Sequence, residues 1–194
     1  NQEQECLAYL KRAKRHNADN PRVSLLRAQL SMQLDNFIDA KRHLLVMAQQ
    51  DVHLVPEMIQ PLHLCFIKLA DIEGWRAWLN QAMSQHPSTS LLLAQAQEIG
   101  QQNDSDAAAY VTEKLRQRPS LKGFNYLIDL HMQWASANAK DSLQVLKGLT
   151  VALQSSKPQY RCRQCGFAGN SMHWQCPSCH QWGRTKPIYG LEGE

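Results

Sequence analysis

The sequence predicts an all-α protein built from short helical repeats, followed by a segment of different character near the C-terminal end. Through the first 157 residues, apolar residues recur at helical spacing, and no stretch shows sustained period-two alternation. The helical pattern breaks at Pro21, near Leu54, at Pro87 and at Pro119, at intervals of 32 or 33 residues. Five of the nine glycines follow residue 165, so the composition changes near residue 157.

The regular breaks indicate tetratricopeptide repeats, in which each unit of about 34 residues contains two short helices. Such helix pairs stack into a solenoid, because one pair cannot bury its own apolar face. Helix-end chemistry recurs at the breaks: Asn20-Pro21 combines a capping residue with a Pro-led start, and both Pro87 and Pro119 are followed by serine. An irregular helical bundle with regularly spaced breaks is the alternative.

The first complete unit begins at Pro21 and fits the repeat pattern best. Ala28 and Ala40 occupy the positions where neighbouring helices approach closely, and Leu44 is the large residue of the second helix. Asp35-Asn36 is expected to form the turn between the two helices. Residues 3–16 are expected to be the second helix of an earlier unit.

The isolated aromatic side chains of the helical region are expected to be core or seam residues rather than ligands, and its lone cysteines are expected to be small buried residues. This applies to Trp75, Trp78 and Trp134, and to the lone cysteines Cys6 and Cys65. Trp75 stands where a small residue is expected, so the later units are less regular than the first.

Four cysteines near the C-terminal end form two C-x-x-C pairs. Cys162 and Cys165 make the first pair, and Cys176 and Cys179 make the second. This spacing is typical of a cage in which four thiolates hold one zinc or iron ion. Two disulfides or a redox dithiol are the alternatives, but no secretory signal or βαβ pattern accompanies the cysteines.

The cysteine-containing segment is predicted to be a separate metal-binding domain over residues 158–194, after a helical array over residues 1–157. A segment of this size cannot build a sufficient core alone, so its folding should depend on the metal. Gly166 and His180 each follow a cysteine pair, where a left-handed backbone is expected. Neither His173 nor His180 is expected to be a ligand, because four sulfurs already complete a tetrahedron.

Charge and motif content argue against several function classes. The formal net charge is +4, and four thiolates around a divalent ion would reduce it further. A positive charge this small does not favour a nucleic-acid-binding surface. The sequence has no Walker A loop, nucleophile elbow or H-E-x-x-H motif. Since a cage of four sulfurs also has no open position, the sequence predicts a protein that is not an enzyme, with no catalytic residue.

The C-terminal segment resembles a known family. Tyr160-Arg-Cys-Arg-Gln-Cys-Gly-Phe167, His173-Trp-Gln-Cys-Pro-Ser-Cys179 and Lys186-Pro-Ile188 are similar to the rubredoxin-like domain of the lipopolysaccharide assembly protein B family, also called the YciM family. The resemblance extends over the whole chain. It maps the family's four metal ligands onto the two cysteine pairs. His180 stands where rubredoxin turns commonly have glycine, so the choice between iron and zinc stays open.

The resemblance also implies a location. In the family, an N-terminal transmembrane helix anchors the repeats and the rubredoxin-like domain to the cytoplasmic face of the bacterial inner membrane. No run in this chain approaches the roughly 20 apolar residues that span a bilayer. We therefore expect a soluble fragment that begins after the anchor.

The function implied by the resemblance is that of a non-enzymatic adaptor and regulator of lipopolysaccharide biosynthesis. The family works with the membrane protease FtsH to promote degradation of the deacetylase that commits precursor to lipid A, and it is linked to an antagonist that senses lipopolysaccharide. These three proteins are the expected partners, and a homo-oligomer stays open. The alternatives are a nucleic-acid-binding zinc ribbon and a rubredoxin-type electron carrier.

Overall fold

The structure, a computed structural model, describes residues 2–191 and 193–194, apart from the side chains of residues 2 and 3, so Asn1 and Glu192 lie outside it. Over these residues the chain forms nine α-helices and three short β-strands. The helices are α1 (Gln2–His16), α2 (Pro21–Gln33), α3 (Phe37–Gln50), α4 (Val55–Lys68), α5 (Ile72–Gln85), α6 (Thr89–Gly100), α7 (Asp104–Gln117), α8 (Leu121–Trp134) and α9 (Ala137–Ser155). The strands are β1 (Tyr160–Cys162), β2 (Ala168–Gly169) and β3 (Thr185–Pro187). The predicted fold class, helical repeats followed by a small rubredoxin-like segment, is confirmed.

The chain divides into two compact units, Asn1–Trp78 and Leu79–Glu194, and the division falls inside α5. In the first unit, α1 packs on α2, α2 on α3 and α3 on α4. In the second unit, α6 packs on α7, α7 on α8 and α8 on α9, and α6 also contacts α8. Contacts between sequential helices, and between the first helices of successive pairs, are those that stacked helix pairs require. A domain boundary near residue 157 stays a prediction.

The first repeat forms as its sequence predicts. Ala28, Ala40 and Leu44 are fully buried, which lets α2 and α3 approach closely. Asp35 adopts a left-handed conformation with φ of 54° at the turn. The Asn36 side chain then accepts a backbone N–H from the first turn of α3 and so begins that helix.

Trp75 and Cys65 are core residues of the first unit, as predicted. Trp75 is 1% exposed, and its ring stacks on His63 and on Trp78 at centroid distances of 4.7 and 5.5 Å. Phe66 packs against the same indole at 5.7 Å. In a regular repeat, a small residue at this position lets the neighbouring helix approach closely. Here the indole ring of Trp75 fills that space instead.

The prediction that Cys6 is buried is wrong, and Trp134 is not a core residue. Trp134 is 48% exposed at the last position of α8, and Cys6 is exposed on α1. Helical spacing places a residue on a face, but a helix end or a helix with one packing neighbour leaves part of that face in solvent.

The last residues of the chain fold back onto the starts of α6 and α8. The Leu121 N–H donates to the Leu191 carbonyl at 2.8 Å. The Glu194 carboxylate accepts the Ser90 N–H at 2.9 Å and the Ser90 hydroxyl at 2.7 Å, and Lys122 Nζ contacts the same carboxylate at 2.6 Å. Glu194 is buried, so its charge depends on these partners.

The position of Glu194 complements the helix that it meets. Ser88 caps α6 through an oxygen that accepts the Leu91 N–H, and the Ser90 N–H is left for the carboxylate. Negative charge at a helix N-terminus is favourable, because the unpaired N–H groups there carry partial positive charge. Gly193 permits the return of the chain, since a Cβ at that position would lie 1.8 Å from the Ile188 carbonyl oxygen.

None of the helices in residues 2–191 combines the length and the apolar character that crossing a bilayer requires.

We predict that Glu194→Gln destabilises the second unit by about 1 to 3 kcal/mol, because Lys122 loses its counter-charge and the hydrogen bonds to Ser90 weaken. Amide exchange at the start of α6 should accelerate, and the unfolding midpoint should fall. Glu73→Gln is the matched control, since that side chain is 86% exposed in its ion pair with Arg76. Equal stability of the two variants would contradict the prediction.

Candidate metal centre

A three-stranded antiparallel sheet positions the cysteines. Its strand order is β2-β1-β3, with Tyr160 opposite Gly169 on one side and Cys162 opposite Thr185 on the other. Cys162 is the last residue of β1, so the first C-x-x-C pair begins where the strand ends. The second pair lies in the connection between β2 and β3, which is itself closed by a bridge between Gln175 and Trp182.

The two cysteine pairs occupy turns with the same backbone geometry. The Gly166 N–H donates to the Cys162 carbonyl at 3.0 Å, and the His180 N–H donates to the Cys176 carbonyl at 2.9 Å. In each turn, the N–H of the first cysteine donates to the carbonyl five residues later, at 2.7 and 3.0 Å. Gly166 has φ of 80° and His180 has φ of 57°, so the left-handed conformation predicted for both is confirmed.

The four sulfurs converge on one point. Every Sγ of Cys162, Cys165, Cys176 and Cys179 lies within 4.8 Å of the other three. The Sγ atoms of Cys165 and Cys176 are 3.6 Å apart, and those of Cys162 and Cys179 are 3.8 Å apart. A tetrahedron with Zn–S bonds of about 2.3 Å has an edge of about 3.8 Å, so the spacing fits a single ion.

The same distances exclude the disulfide interpretation for this structure. A disulfide needs sulfurs about 2.05 Å apart, and all four cysteines are free thiols. Cys162 and Cys176 are buried, Cys179 is partly buried and Cys165 is exposed. The four are arranged to bind one metal ion.

Backbone N–H groups favour the thiolate form of the first pair. The Phe167 N–H lowers the pKa of Cys165 to about 6. The Cys165 N–H, together with the Gln164 N–H at 3.4 Å, lowers the pKa of Cys162. Thiolate is the form that binds a metal.

For Cys179, by contrast, the protonated thiol is favoured over the thiolate. The Gln181 N–H favours its thiolate, but burial and the three neighbouring cysteines outweigh that donor and raise the pKa of Cys179 to about 12. Four thiolates this close repel one another, so the set cannot all ionise unless a cation offsets the charge.

Neither nearby histidine joins the cage. His173 Nε2 lies 3.1 Å from the Ser171 hydroxyl, and its ring meets Phe167 edge-on at 6.1 Å. His180 contributes its backbone to the second turn. Among the residues that the structure describes, the four cysteines are the group of metal-binding side chains that come together.

Comparison with known proteins agrees with this geometry. Residues 160–187 match a family model described as a rubredoxin metal binding domain. The chain is 32% identical over 190 residues to lipopolysaccharide assembly protein B of Escherichia coli strain K12, an alignment that covers 97% of this chain and 49% of the relative. It is 28% identical over 173 residues to the protein of the same name from Haemophilus influenzae strain Rd, with 88% and 44% covered. The chain thus spans about half the length of these curated relatives, and the resemblance predicted from its motifs is confirmed.

We predict that the double variant Cys176→Ser, Cys179→Ser loses its metal and unfolds residues 158–194, because binding free energy in such a site is folding free energy. Metal analysis should show near-complete loss, and amide exchange over this segment should become fast. Cys6→Ser, which removes an exposed thiol far along the sequence from the cage, is the control. Full metal content in the double variant would rule out these ligands.

We also predict that Gly166→Ala weakens the centre and His180→Gly does not. A Cβ at Gly166 meets no atom within 4 Å, so the expected loss of about 1 to 2 kcal/mol comes from the left-handed backbone alone. His180→Gly relieves the same constraint in the second turn. Thermal unfolding at fixed metal concentration and pH measures both. If His180→Gly weakened the centre as much as Gly166→Ala, backbone conformation would not be the cause.

Proposed function

Since the chain is homologous to lipopolysaccharide assembly protein B over nearly its whole length, we propose that it is a non-enzymatic adaptor that regulates lipopolysaccharide synthesis. The observation that carries the proposal is the closed centre of four cysteines in the same compact unit as helices α6 to α9. Four sulfurs leave a metal no open position for a substrate, so the centre suits a structural role. The helices then supply the surface on which partners act.

A groove in the second unit supports a partner-binding role. Its volume is about 720 Å³, and it lies between the C-terminal part of α5, α6, α7 and the tail residues 190, 191 and 194. Met83, Pro87 and Leu92 supply apolar lining. Helical repeats commonly bind extended segments of other proteins along such surfaces.

Hydrogen-bonded polar side chains form part of the groove wall. Gln95 Nε2 donates to Asn80 Oδ1 at 2.9 Å, and the Tyr110 hydroxyl donates to Gln95 Oε1 at 2.5 Å. Burial raises the pKa of Tyr110, so its hydroxyl stays protonated and keeps its hydrogen bond to Gln95. The amide groups of Asn80 and Gln95 can also hydrogen-bond the backbone of a bound peptide. Because such bonds involve the peptide backbone, they do not require a particular peptide sequence.

Charge indicates an acidic occupant. Lys114 and Arg118 line the groove, and Glu194, whose carboxylate also lines it, is already engaged by Lys122. Lys114 Nζ lies 5.7 Å from the centroid of the Tyr110 ring, and Arg118 donates to the Pro87 carbonyl at 2.9 Å, so both cations are held at the groove. We therefore propose that an extended acidic segment of a protein partner binds here.

The resemblance supplies the partners and the location of the proposal. The partners would be the FtsH protease, the deacetylase that commits precursor to lipid A, and the lipopolysaccharide-sensing antagonist. The adaptor would promote degradation of the deacetylase at the cytoplasmic face of the inner membrane, held there by an N-terminal anchor. The centre would hold iron or zinc, since both accept four thiolates.

We predict that Lys114→Glu combined with Arg118→Glu abolishes partner capture, because two cations that face the groove become anions. The assay is co-purification from cells that produce the full-length protein, with immunodetection of FtsH and the deacetylase and measurement of the deacetylase level. Association should fall at least tenfold and the deacetylase should accumulate. The matched control is Arg116→Glu with Lys140→Glu, two exposed residues outside the groove.

The outcomes separate the adaptor from its binding surface. Failure of the unaltered protein to capture either partner would overturn the adaptor proposal. Capture by the unaltered protein that survives the groove substitutions would keep the adaptor and reject the groove.

The two other functions make different demands. Electron transfer needs iron and a reversible redox couple, so a centre that contains only zinc excludes it. Binding to nucleic acid would show a steep loss of affinity as salt rises, and the absence of binding at low salt excludes it.

A further inference from the structure

Thr185 carries a buried hydroxyl that the pairing of β1 with β3 does not require. The residue begins β3 and is 1% exposed. Within the described part of the chain, its Oγ1 is a buried side-chain oxygen with no hydrogen-bond partner. A buried hydroxyl without a partner costs free energy, and valine would fill the same volume without that cost.

Strand register places this hydroxyl beside the metal centre. Thr185 lies directly opposite Cys162 in the β1–β3 ladder. The Arg163 N–H donates to the Arg184 carbonyl at 2.8 Å, and the Ile188 N–H donates to the Gln159 carbonyl at 2.8 Å. These bonds alternate along an antiparallel ladder, so Cys162 and Thr185 form a non-hydrogen-bonded pair.

In such a pair the two side chains are at their closest. The Cα atoms of a non-hydrogen-bonded pair are about 4.5 Å apart, and both side chains project from the same face of the sheet. Cys162 is also 1% exposed, so both side chains point into the same enclosed space. The Cys162 sulfur lies on the residue directly opposite Thr185, and it becomes a strong acceptor once it is a thiolate.

We propose that the Thr185 hydroxyl is a positioning residue of the metal centre and donates a hydrogen bond to the Cys162 thiolate when the cage is loaded. The inference rests on the four-cysteine centre and not on the adaptor function, so the two can fail separately.

The electrostatics of the cage give the hydroxyl its effect. Four thiolates around a divalent cation keep a net charge of about −2, and two of the sulfurs are buried. Cys162 Sγ already accepts the Gln164 N–H at 3.4 Å, and a hydroxyl donor adds to that charge stabilisation from the opposite strand. Donors around ligands orient them and raise metal affinity, and hydrogen bonds to sulfur tune the potential of a bound iron.

The test compares Thr185→Val, which removes the hydroxyl at nearly constant volume, with Thr185→Ser, which keeps it. Zinc affinity is measured by competition with a chelator, and the sulfur-to-metal charge-transfer bands are recorded with cobalt(II) in the cage. We expect Thr185→Val to bind zinc about tenfold more weakly and to shift the cobalt charge-transfer bands, and Thr185→Ser to restore both. Thr112→Val is the control, because that hydroxyl bonds to the Ala108 carbonyl within α7.

Unchanged zinc affinity and unchanged bands in Thr185→Val would overturn the proposal, as would a Thr185→Ser variant that behaves like valine. If Thr185→Val did not assemble a cobalt centre, Thr185→Ala against Thr185→Ser would decide the question. Both of these lack the methyl group, and only serine has the hydroxyl. Equal affinity in that pair would reject the hydrogen bond.

Discussion

Four sulfur atoms within 4.8 Å of one another impose the constraint on which the C-terminal segment depends. The sheet around them consists of strands of two or three residues, which cannot hold together by pairing alone. Few side chains of the segment are buried apart from Cys162, Cys176 and Thr185. A bound cation would stabilise the segment, because mutual repulsion among the four thiolates would be replaced by four bonds to one centre.

The metal-binding segment is also attached to the helices by polar contacts at its end. Glu194 satisfies a backbone donor at the start of α6 and a lysine of α8, and Leu191 accepts a bond from the first residue of α8. These contacts use N–H groups that every helix leaves unpaired at its N-terminus. These polar contacts therefore link the helices and the segment to each other.

Sequence patterns predicted the parts of this structure that have a local cause. Paired C-x-x-C spacing fixes four ligands within two short turns, and the left-handed positions of Gly166 and His180 follow from the same turns. Proline-led helix starts and the small residues Ala28 and Ala40 likewise act over a few residues, and the first repeat forms around them.

Features that depend on distant residues were not predictable. Glu194 meets Ser90 across 104 positions, and no period or motif relates the two. The position of Thr185 opposite Cys162 depends on strand register, and the sequences of the short strands β1 and β3 do not predict that register. The exposure of Trp134 and Cys6 depends on how far a neighbouring helix extends over them, which helical spacing does not contain.

The tail that joins the metal-binding segment to the helices also lines the groove. Gly190, Leu191 and Glu194 contribute to the groove wall. Lys122 pairs with Glu194 and offsets its charge, so Glu194 repels an incoming carboxylate less. Release of the tail would remove part of that wall and leave the Lys122 charge without its partner. A loaded metal centre would thus act on binding without touching a substrate, since it would hold in place the residues that shape the surface and set its charge. For the proposed adaptor this would be sufficient, because the chemistry would belong to the partner and the adaptor would contribute geometry.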